Sequence, residues 1–395
     1  MAGPRVQRAR LPSGAATWTV IGGDGLSIEA AEEYLEYLRV FSSPNTVKSY
    51  ARALALWWRW LETTQVGWSD VGLSEFTGFV HWLRTGEDGT IVAFAPSAAK
   101  LSESTVAVRL QAALSFYRYQ ALNGVPAAVA LTQRIHRSSP QFRPLLEHVA
   151  RRRGRPTQTV RVRAPRREIP PVLTPGQMTL IKDACAYVDA STGEYVGSVR
   201  DRLLFELLEC SGMRLGEALG LLHGDWVTGR GDTPYVNVIA REHPHGQRVK
   251  SGLPRRIYVT DRVDRLSGEY VWQLCDAGAD VVLGDMDRAL VFVNVAGGEL
   301  FAPWRPGSVY SLVARLNRTL KHKLPASWTP HWFRHTHATA LLLADVPLHV
   351  VSRRLGHADV QTTMNLYGWV SDDAELRALA DWQRLTASWE HRIAA

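Results

Sequence analysis

Cysteine is scarce in this 395-residue chain: only Cys185, Cys210 and Cys275 occur. They are far apart and form no CxxC pair, which argues against a disulfide framework or a cysteine zinc site and fits a reducing cytoplasm. Lysine is sparse as well, limited to Lys48, Lys100, Lys182, Lys250, Lys321 and Lys323. No apolar run approaches the roughly 20 residues needed to cross a bilayer. The first residues lead into no apolar leader segment, and no repeat of fixed period is evident. A G-x-x-x-x-G-K-[ST] phosphate-binding loop is also missing.

What the chain has in excess is positive charge. The formal net charge is +8, which favours polyanionic partners. With so few lysines, nearly all of the cationic charge is arginine. Arginine suits bidentate phosphate contacts, although genome base composition also produces such a bias. Apolar residues make up 46% and charged residues 21%, ordinary for a soluble globular protein of two or three domains.

Residues 1–25 mix Gly, Pro, Ser and Arg and read as a flexible basic arm. From 26 to 133 the pattern is a helical domain of four helices. Ser27 is the expected cap of the first. Ser43-Pro44 opens the second, where Val47, Tyr50, Ala51, Leu54, Trp58 and Leu61 recur at helical spacing. Phe76, Phe79, Val80 and Leu83 mark the third. Val106, Leu110, Ala113 and Tyr117 mark the fourth, with Ser104 as its expected cap. Lys48 and Arg52, on the second helix, are candidate phosphate contacts.

Between 134 and 172 the composition turns arginine-rich, including Arg151, Arg152, Arg153, Arg155, Arg161 and Arg163. The stretch reads as a solvated linker or as a strap along DNA phosphates. Arg153-Gly154-Arg155-Pro156 is slim enough for a minor groove. Thr174-Pro175 then caps a second domain, spanning 173–395. Tyr235–Ile239 and Arg256–Thr260 alternate like strands, and 291–294 suggests a third. Helical patterns cover 200–208, 307–320, 332–344, 347–355 and 360–367, with a tail helix at 372–390. The expected fold class is an all-α N-terminal domain followed by an α+β domain, mostly α with a small antiparallel sheet.

Four short motifs carry chemistry. Arg214 lies in an apolar stretch and requires an anionic partner, which Glu217 can provide three residues on. His331 and Arg334 share a helical face and can meet the same oxyanion. His357 follows Gly356, whose residue type suits an αL helix end. Tyr367 comes ten residues after His357. Taken singly, each has a plain structural reading: a buried ion pair, a surface face, a structural histidine, a core tyrosine. His331 and His335 also stand at the spacing of two zinc ligands, but Trp332 occupies the place of the metalloprotease glutamate. No metal and no cofactor are expected.

Read jointly, Gly212-Met213-Arg214-Leu215-Gly216-Glu217, His331-Trp332-Phe333-Arg334-His335 and Leu355-Gly356-His357 with Tyr367 resemble the signature of tyrosine site-specific recombinases. That superfamily includes phage integrases, Xer-type resolvases and transposon integrases. The resemblance covers residues 173–370 specifically. It implies that 26–133 is a core-binding domain and that Tyr367 is the nucleophile forming a 3′-phosphotyrosine. Arg214 and Arg334 then hold the non-bridging oxygens. His331 and His357 donate further hydrogen bonds, and His331 assists proton removal from Tyr367. Lys250 is implied as the general acid, with Glu217 and His335 supporting the catalytic groups. The implied partners are double-stranded recombination sites, a homotetramer on DNA and accessory DNA-bending or partner recombinase proteins, in a cytoplasmic, nucleoid-associated setting without a membrane. The implied function is integration, excision or transposition of a mobile element. Chromosome or plasmid dimer resolution, a type IB topoisomerase and a non-catalytic DNA-binding relative are the rivals.

Overall fold

The computed structural model describes residues 3–12, 16–86, 101–126, 128, 170–229, 231–241, 254–357 and 359–367. The chain divides into two compact units, Met1–Arg167 and Glu168–Ala395. The Arg-rich residues 151–163 and the expected tail helix at 372–390 lie outside the described residues.

The first unit begins with a correction. Residues expected to form a flexible arm instead make an antiparallel hairpin, β1 (Arg5–Arg10) and β2 (Ala16–Ile21), with Val6 opposite Val20 and Arg8 opposite Trp18. The cause is a short β-branched and aromatic run, Thr17 to Ile21, whose apolar side chains have a surface to cover. Val20 is fully buried in the helical core, and Val6 and Trp18 pack on it.

Four helices follow: α1 (Glu29–Phe41), α2 (Pro44–Thr64), α3 (Leu73–Thr85) and α4 (Glu103–Leu122). Two caps differ from expectation. The N-cap of α1 is Ile28, without a side-chain bond, rather than Ser27. That of α4 is Ser102 rather than Ser104, because its hydroxyl is the one placed to accept from the Thr105 N–H. At α2 the Ser43 hydroxyl accepts from the Thr46 N–H at 3.3 Å and Pro44 occupies the first turn, where its missing donor costs nothing.

The core of this unit is aromatic. Trp57 stacks on Phe76 at 4.7 Å and meets Phe79 edge-on at 4.9 Å. Each such ring contributes about 1.5–3 kcal/mol through burial.

The second unit is built around a helix buried nearly all round. After α5 (Pro175–Cys185) and a short hairpin, β3 (Ala186–Val188) and β4 (Tyr195–Gly197), comes α6 (Val199–Ser211). Its buried Asp201, Arg202 and Glu206 are tolerated because each is paired: Arg202 with Asp183 at 2.8 Å, Arg262 with Glu206 at 2.7 Å, Arg200 with Asp201 at 2.7 Å. A one-turn helix, α7 (Leu215–Ala218), leads to an antiparallel sheet of β5 (Trp226–Val227), β6 (Tyr235–Val238) and β7 (Arg255–Tyr258) in that order. Val236, Val238 and Ile257 alternate into the core.

The third strand is therefore 226–227. Residues 291–294, expected in that role, make only the isolated bridge Val293 to Pro303. Helices α8 (Asp261–Asp276), α9 (Ala279–Leu283), α10 (Pro306–Leu320), α11 (Pro330–Leu343), α12 (Leu348–Leu355) and α13 (Val360–Tyr367) complete the unit. No helix among the described residues is long and apolar enough to cross a membrane.

Gly78 on α3 gives a test of the aromatic packing. A Cβ there would fall 2.6 Å from a ring carbon of Trp60, and Trp60 is anchored by its Nε1–H on the Glu75 carbonyl at 3.1 Å. Gly78→Ala should lower stability by about 1–3 kcal/mol in chemical denaturation, despite the better helix propensity of alanine. An unchanged midpoint would show that the ring yields.

Candidate active site

Two helix ends and one helix interior converge in the second unit. Helix α6 terminates at Gly212 (φ 63°) and α12 at Gly356 (φ 66°), both left-handed. Neither position accommodates a side chain. A Cβ on Gly212 would lie 2.5 Å from the His337 ring, and one on Gly356 would lie 2.6 Å from the Arg255 guanidinium. Terminal carbonyls of both helices, left without intrahelical partners, face Arg334 on α11.

Arg334 is 2% exposed. It donates through Nη1 to the Gly212 carbonyl at 2.9 Å and through Nη2 to the Leu355 carbonyl at 2.7 Å. Nη2 also lies 2.8 Å from His357 Nε2. A guanidinium only donates, so His357 Nε2 accepts, its proton sits on Nδ1, and Nδ1–H faces the Thr363 hydroxyl at 2.7 Å. His357 is thus neutral and aims an acceptor, not a donor, at the arginine. Burial, and then the charge of Arg334 and Arg214, lowers its pKa to about 4. Burial, then Arg214, lowers that of Arg334 to about 9, which leaves it cationic at neutral pH.

Arg214 forms the N-cap of α7. Its Nη1 donates to Glu217 Oε1 at 3.0 Å, and its backbone N–H donates to Glu217 Oε2 at 2.9 Å. A quarter of its side chain (25%) stays exposed, whereas the Glu217 side chain is 1% exposed. Burial alone would raise the Glu217 carboxyl, but hydrogen bonds and charge from Arg255 and Arg214 outweigh it and hold its pKa below the usual range. Arg255, at the start of β7, is the second cation on this carboxylate.

Tyr367, the last residue of α13, is 2% exposed and packs with Ala338, Val351 and Leu355. Its hydroxyl lies 2.8 Å from His335 Nδ1. The resemblance assigns His331 to assist this tyrosine, but the hydroxyl's hydrogen-bond partner is His335. The two imidazoles are edge-to-face, 4.5 Å apart. Burial raises the Tyr367 hydroxyl to about 12, against the lowering influence of Arg334. His331, exposed at the rim, is pushed below the imidazole range by partial desolvation and then by His335, Arg334 and Arg214.

The structure therefore brings Arg214, Glu217, His331, Arg334, His335, His357 and Tyr367 into one region of the second unit. Lys250 lies outside the described residues, as do Arg151, Arg152, Arg153, Arg155, Arg161 and Arg163. In the first unit, Lys48 and Arg52 line a groove of about 520 Å³ together with Arg109, between the N-terminal turns of α2 and α4. Lys48 also sits 5.3 Å above the Trp18 ring of the hairpin. Among the described residues no group of three or more His, Cys, Asp or Glu is placed to hold a metal ion. Sequence reasoning missed Arg255, Arg354, Thr363 and Arg109. Arg255 had a faint signal, since it stands two residues before Ile257 in an alternating strand.

Chemically, three arginines and one carboxylate leave an excess of positive charge beside a hydroxyl nucleophile. Such an arrangement can hold an anionic ester and stabilise charge on its oxygens.

The Phage integrase family matches residues 171–373, and a phage integrase N-terminal SAM-like domain matches 31–124. Transposase A from transposon Tn554 of Staphylococcus aureus is 27% identical over 349 residues, 87% of this chain and 88% of the transposase. Tyrosine recombinase XerD of Corynebacterium glutamicum is 26% identical over 350 residues, 87% of this chain and 94% of XerD. Among solved structures, the Tn1549 transposon integrase in complex with transposon right end DNA shares the fold at a TM-score of 0.55 and 20% identity. That match covers 89% of this chain and 99% of the integrase.

Two half-buried histidines, His337 and His357, are neutral here. His337 donates through Nδ1 to the Glu209 carbonyl (2.8 Å) and accepts from Arg354 (3.0 Å), and burial lowers its pKa to about 4, as it does for His357. In the unfolded chain both titrate near 6.5. The stability they confer is complete above that value and is lost as pH falls toward 4. The melting temperature should fall between pH 7.5 and 5, and His337→Gln should flatten that fall. A slope identical to wild type would remove His337 from the linkage.

Proposed function

Because the chain belongs to the Phage integrase family of tyrosine recombinases, it is a site-specific DNA recombinase; we propose that Tyr367, Arg214, Arg334, His335 and His357 are its working groups. The observation that carries this reading is the hydroxyl of Tyr367 on His335, one residue from a buried Arg334 that also holds His357.

In the proposed reaction the Tyr367 oxygen attacks the scissile phosphorus and its proton passes to an imidazole, His335 being the one already in contact. The new bond is tyrosine oxygen to 3′-phosphate. The bond that breaks is phosphorus to the 5′-oxygen, which leaves as a hydroxyl after taking a proton, the role expected of Lys250. Arg214 and Arg334 offset the charge that gathers on the non-bridging oxygens. The phosphotyrosine conserves the energy of the broken diester, so religation to another 5′-hydroxyl needs no nucleotide. His357 joins as a donor only once its Nε2 is released from Arg334 and protonated.

Double-stranded DNA is the proposed partner, gripped by the groove of Lys48, Arg52 and Arg109 and by the arginines of 151–163. Strand exchange needs four such chains on two duplexes. The similarity to a transposon transposase over 87% of this chain and the fold shared with a transposon integrase favour movement of a mobile element over dimer resolution. XerD similarity keeps resolution as the second reading.

Covalent trapping tests the assignment. Wild type and Tyr367→Phe are incubated in EDTA with nicked duplexes drawn from the DNA flanking the gene, then run on denaturing gels. A protease-sensitive adduct should appear with wild type alone; an adduct that survives in Tyr367→Phe would remove this residue from the mechanism. Lys48→Ala and Arg52→Ala should each weaken binding and reduce the salt dependence by about one phosphate contact. An unaltered salt slope would place these residues off the DNA.

A further inference from the structure

Arg255 belongs to none of the recombinase motifs, yet its contacts are more fully defined than those of Arg214. Its side chain is 6% exposed. Nε donates to the Arg354 carbonyl at 3.0 Å, Nη1 to Glu217 Oε1 at 3.2 Å and Nη2 to Glu217 Oε2 at 2.7 Å. All three nitrogens of the fork are therefore engaged, two of them in parallel on one carboxylate. Arg214 approaches the same carboxylate with a single guanidinium nitrogen, at 3.0 Å, and among the described residues its other guanidinium contact is the Gly356 carbonyl at 3.4 Å.

This asymmetry decides which arginine is able to turn away. A buried carboxylate left without a cation is strongly unfavourable, because water no longer solvates it. If Arg214 alone neutralised Glu217, then turning its guanidinium toward a phosphate would strand that charge. With Arg255 in two-point contact, and the Arg214 backbone N–H still on Oε2, Glu217 remains compensated. The guanidinium of Arg214 is then at liberty to move. Arg255 also ties β7 to the end of α12, through the Arg354 carbonyl, and lies where any Cβ on Gly356 would collide with it. The turn that carries His357 is built against this guanidinium.

We infer that Arg255 is a positioning residue for strand cleavage: it holds Glu217 in a bidentate pair so that Arg214 can engage the scissile phosphate. The inference rests on the recombinase reading of Arg214 and adds a residue to it.

Cleavage rates are measured on two nicked duplexes, one with the natural scissile phosphodiester and one with a methylphosphonate in its place. The methyl group removes the negative charge that Arg214 has to hold. Arg255→Gln should lose roughly 10- to 100-fold on the phosphodiester but less than about threefold on the methylphosphonate. Adding Glu217→Gln, which neutralises the stranded carboxylate, should recover most of the lost phosphodiester rate. A purely structural role predicts something different, an equal loss on both substrates and no recovery in the double variant, and that result overturns the inference. Should Arg255→Gln not fold, Arg255→Lys decides by the same two-substrate comparison, since it keeps the charge and loses the fork. Wild type that forms an adduct on neither duplex overturns the recombinase reading and this inference together. Wild-type adduct with indifferent Arg255 variants overturns this inference alone.

Discussion

Glu217 offsets charge in a site otherwise made of cations. Arg214 and Arg255 lie close enough to add to the lowering of the Arg334 pKa, which burial depresses most. Three guanidinium groups brought together without an anion would repel one another at low effective dielectric. One buried carboxylate, with four N–H contacts, makes the cluster tolerable while leaving an excess of positive charge. That excess is what the phosphodiester of the proposed substrate would offset. The arrangement is incomplete by design of its charges, and a ligand of the opposite sign completes it.

The same economy governs the backbone. Arg334 satisfies terminal carbonyls of α6 and α12, groups that helices otherwise leave to water or to side-chain caps. Two left-handed glycines allow these chain ends to come near each other without a Cβ in between. Removing the Arg334 side chain would strand two buried acceptors and also take away a cation proposed to hold the phosphate, so the two effects are inseparable in a simple alanine variant. Comparison of folding with cleavage is therefore the informative measurement at that position.

Much of this was legible in the sequence, for identifiable reasons. Helices α2 and α5 announce themselves by a hydroxyl cap followed by proline, and Gly356 marks the end of α12. The site residues fall in compact motifs: Arg214 caps α7, His357 follows the end of α12, and His331, Arg334 and His335 lie together in the first two turns of α11. What escaped notice depends on tertiary context. The N-terminal hairpin is short, and its side chains find their cover only once α1 and α2 have packed, with Val20 buried in that core. Arg255 reads as one more arginine before a strand; only the fold reveals the buried carboxylate opposite it. His335 outranks His331 as the tyrosine's partner because of where α13 ends, which spacing along α11 does not encode.

Tyr367 poses the remaining physical problem. As the proposed nucleophile, a side chain that is 2% exposed, with a hydroxyl raised to about 12, is poorly prepared to attack anything. Its ring, however, belongs to a small satellite cluster with Ala338, Val351 and Leu355 rather than to the main core of the unit. Exposing such a ring costs about 1.5–3 kcal/mol of burial, and the hydrogen bond to His335 adds about 1 kcal/mol. A change of that size lies well within what an anionic ligand returns by satisfying two arginines. Hydration of the freed hydroxyl also removes the desolvation that raises its pKa, so the same displacement that presents the oxygen makes its proton easier to remove. On the proposed mechanism, the burial of Tyr367 and its reactivity on DNA would both follow from one shallow packing contact.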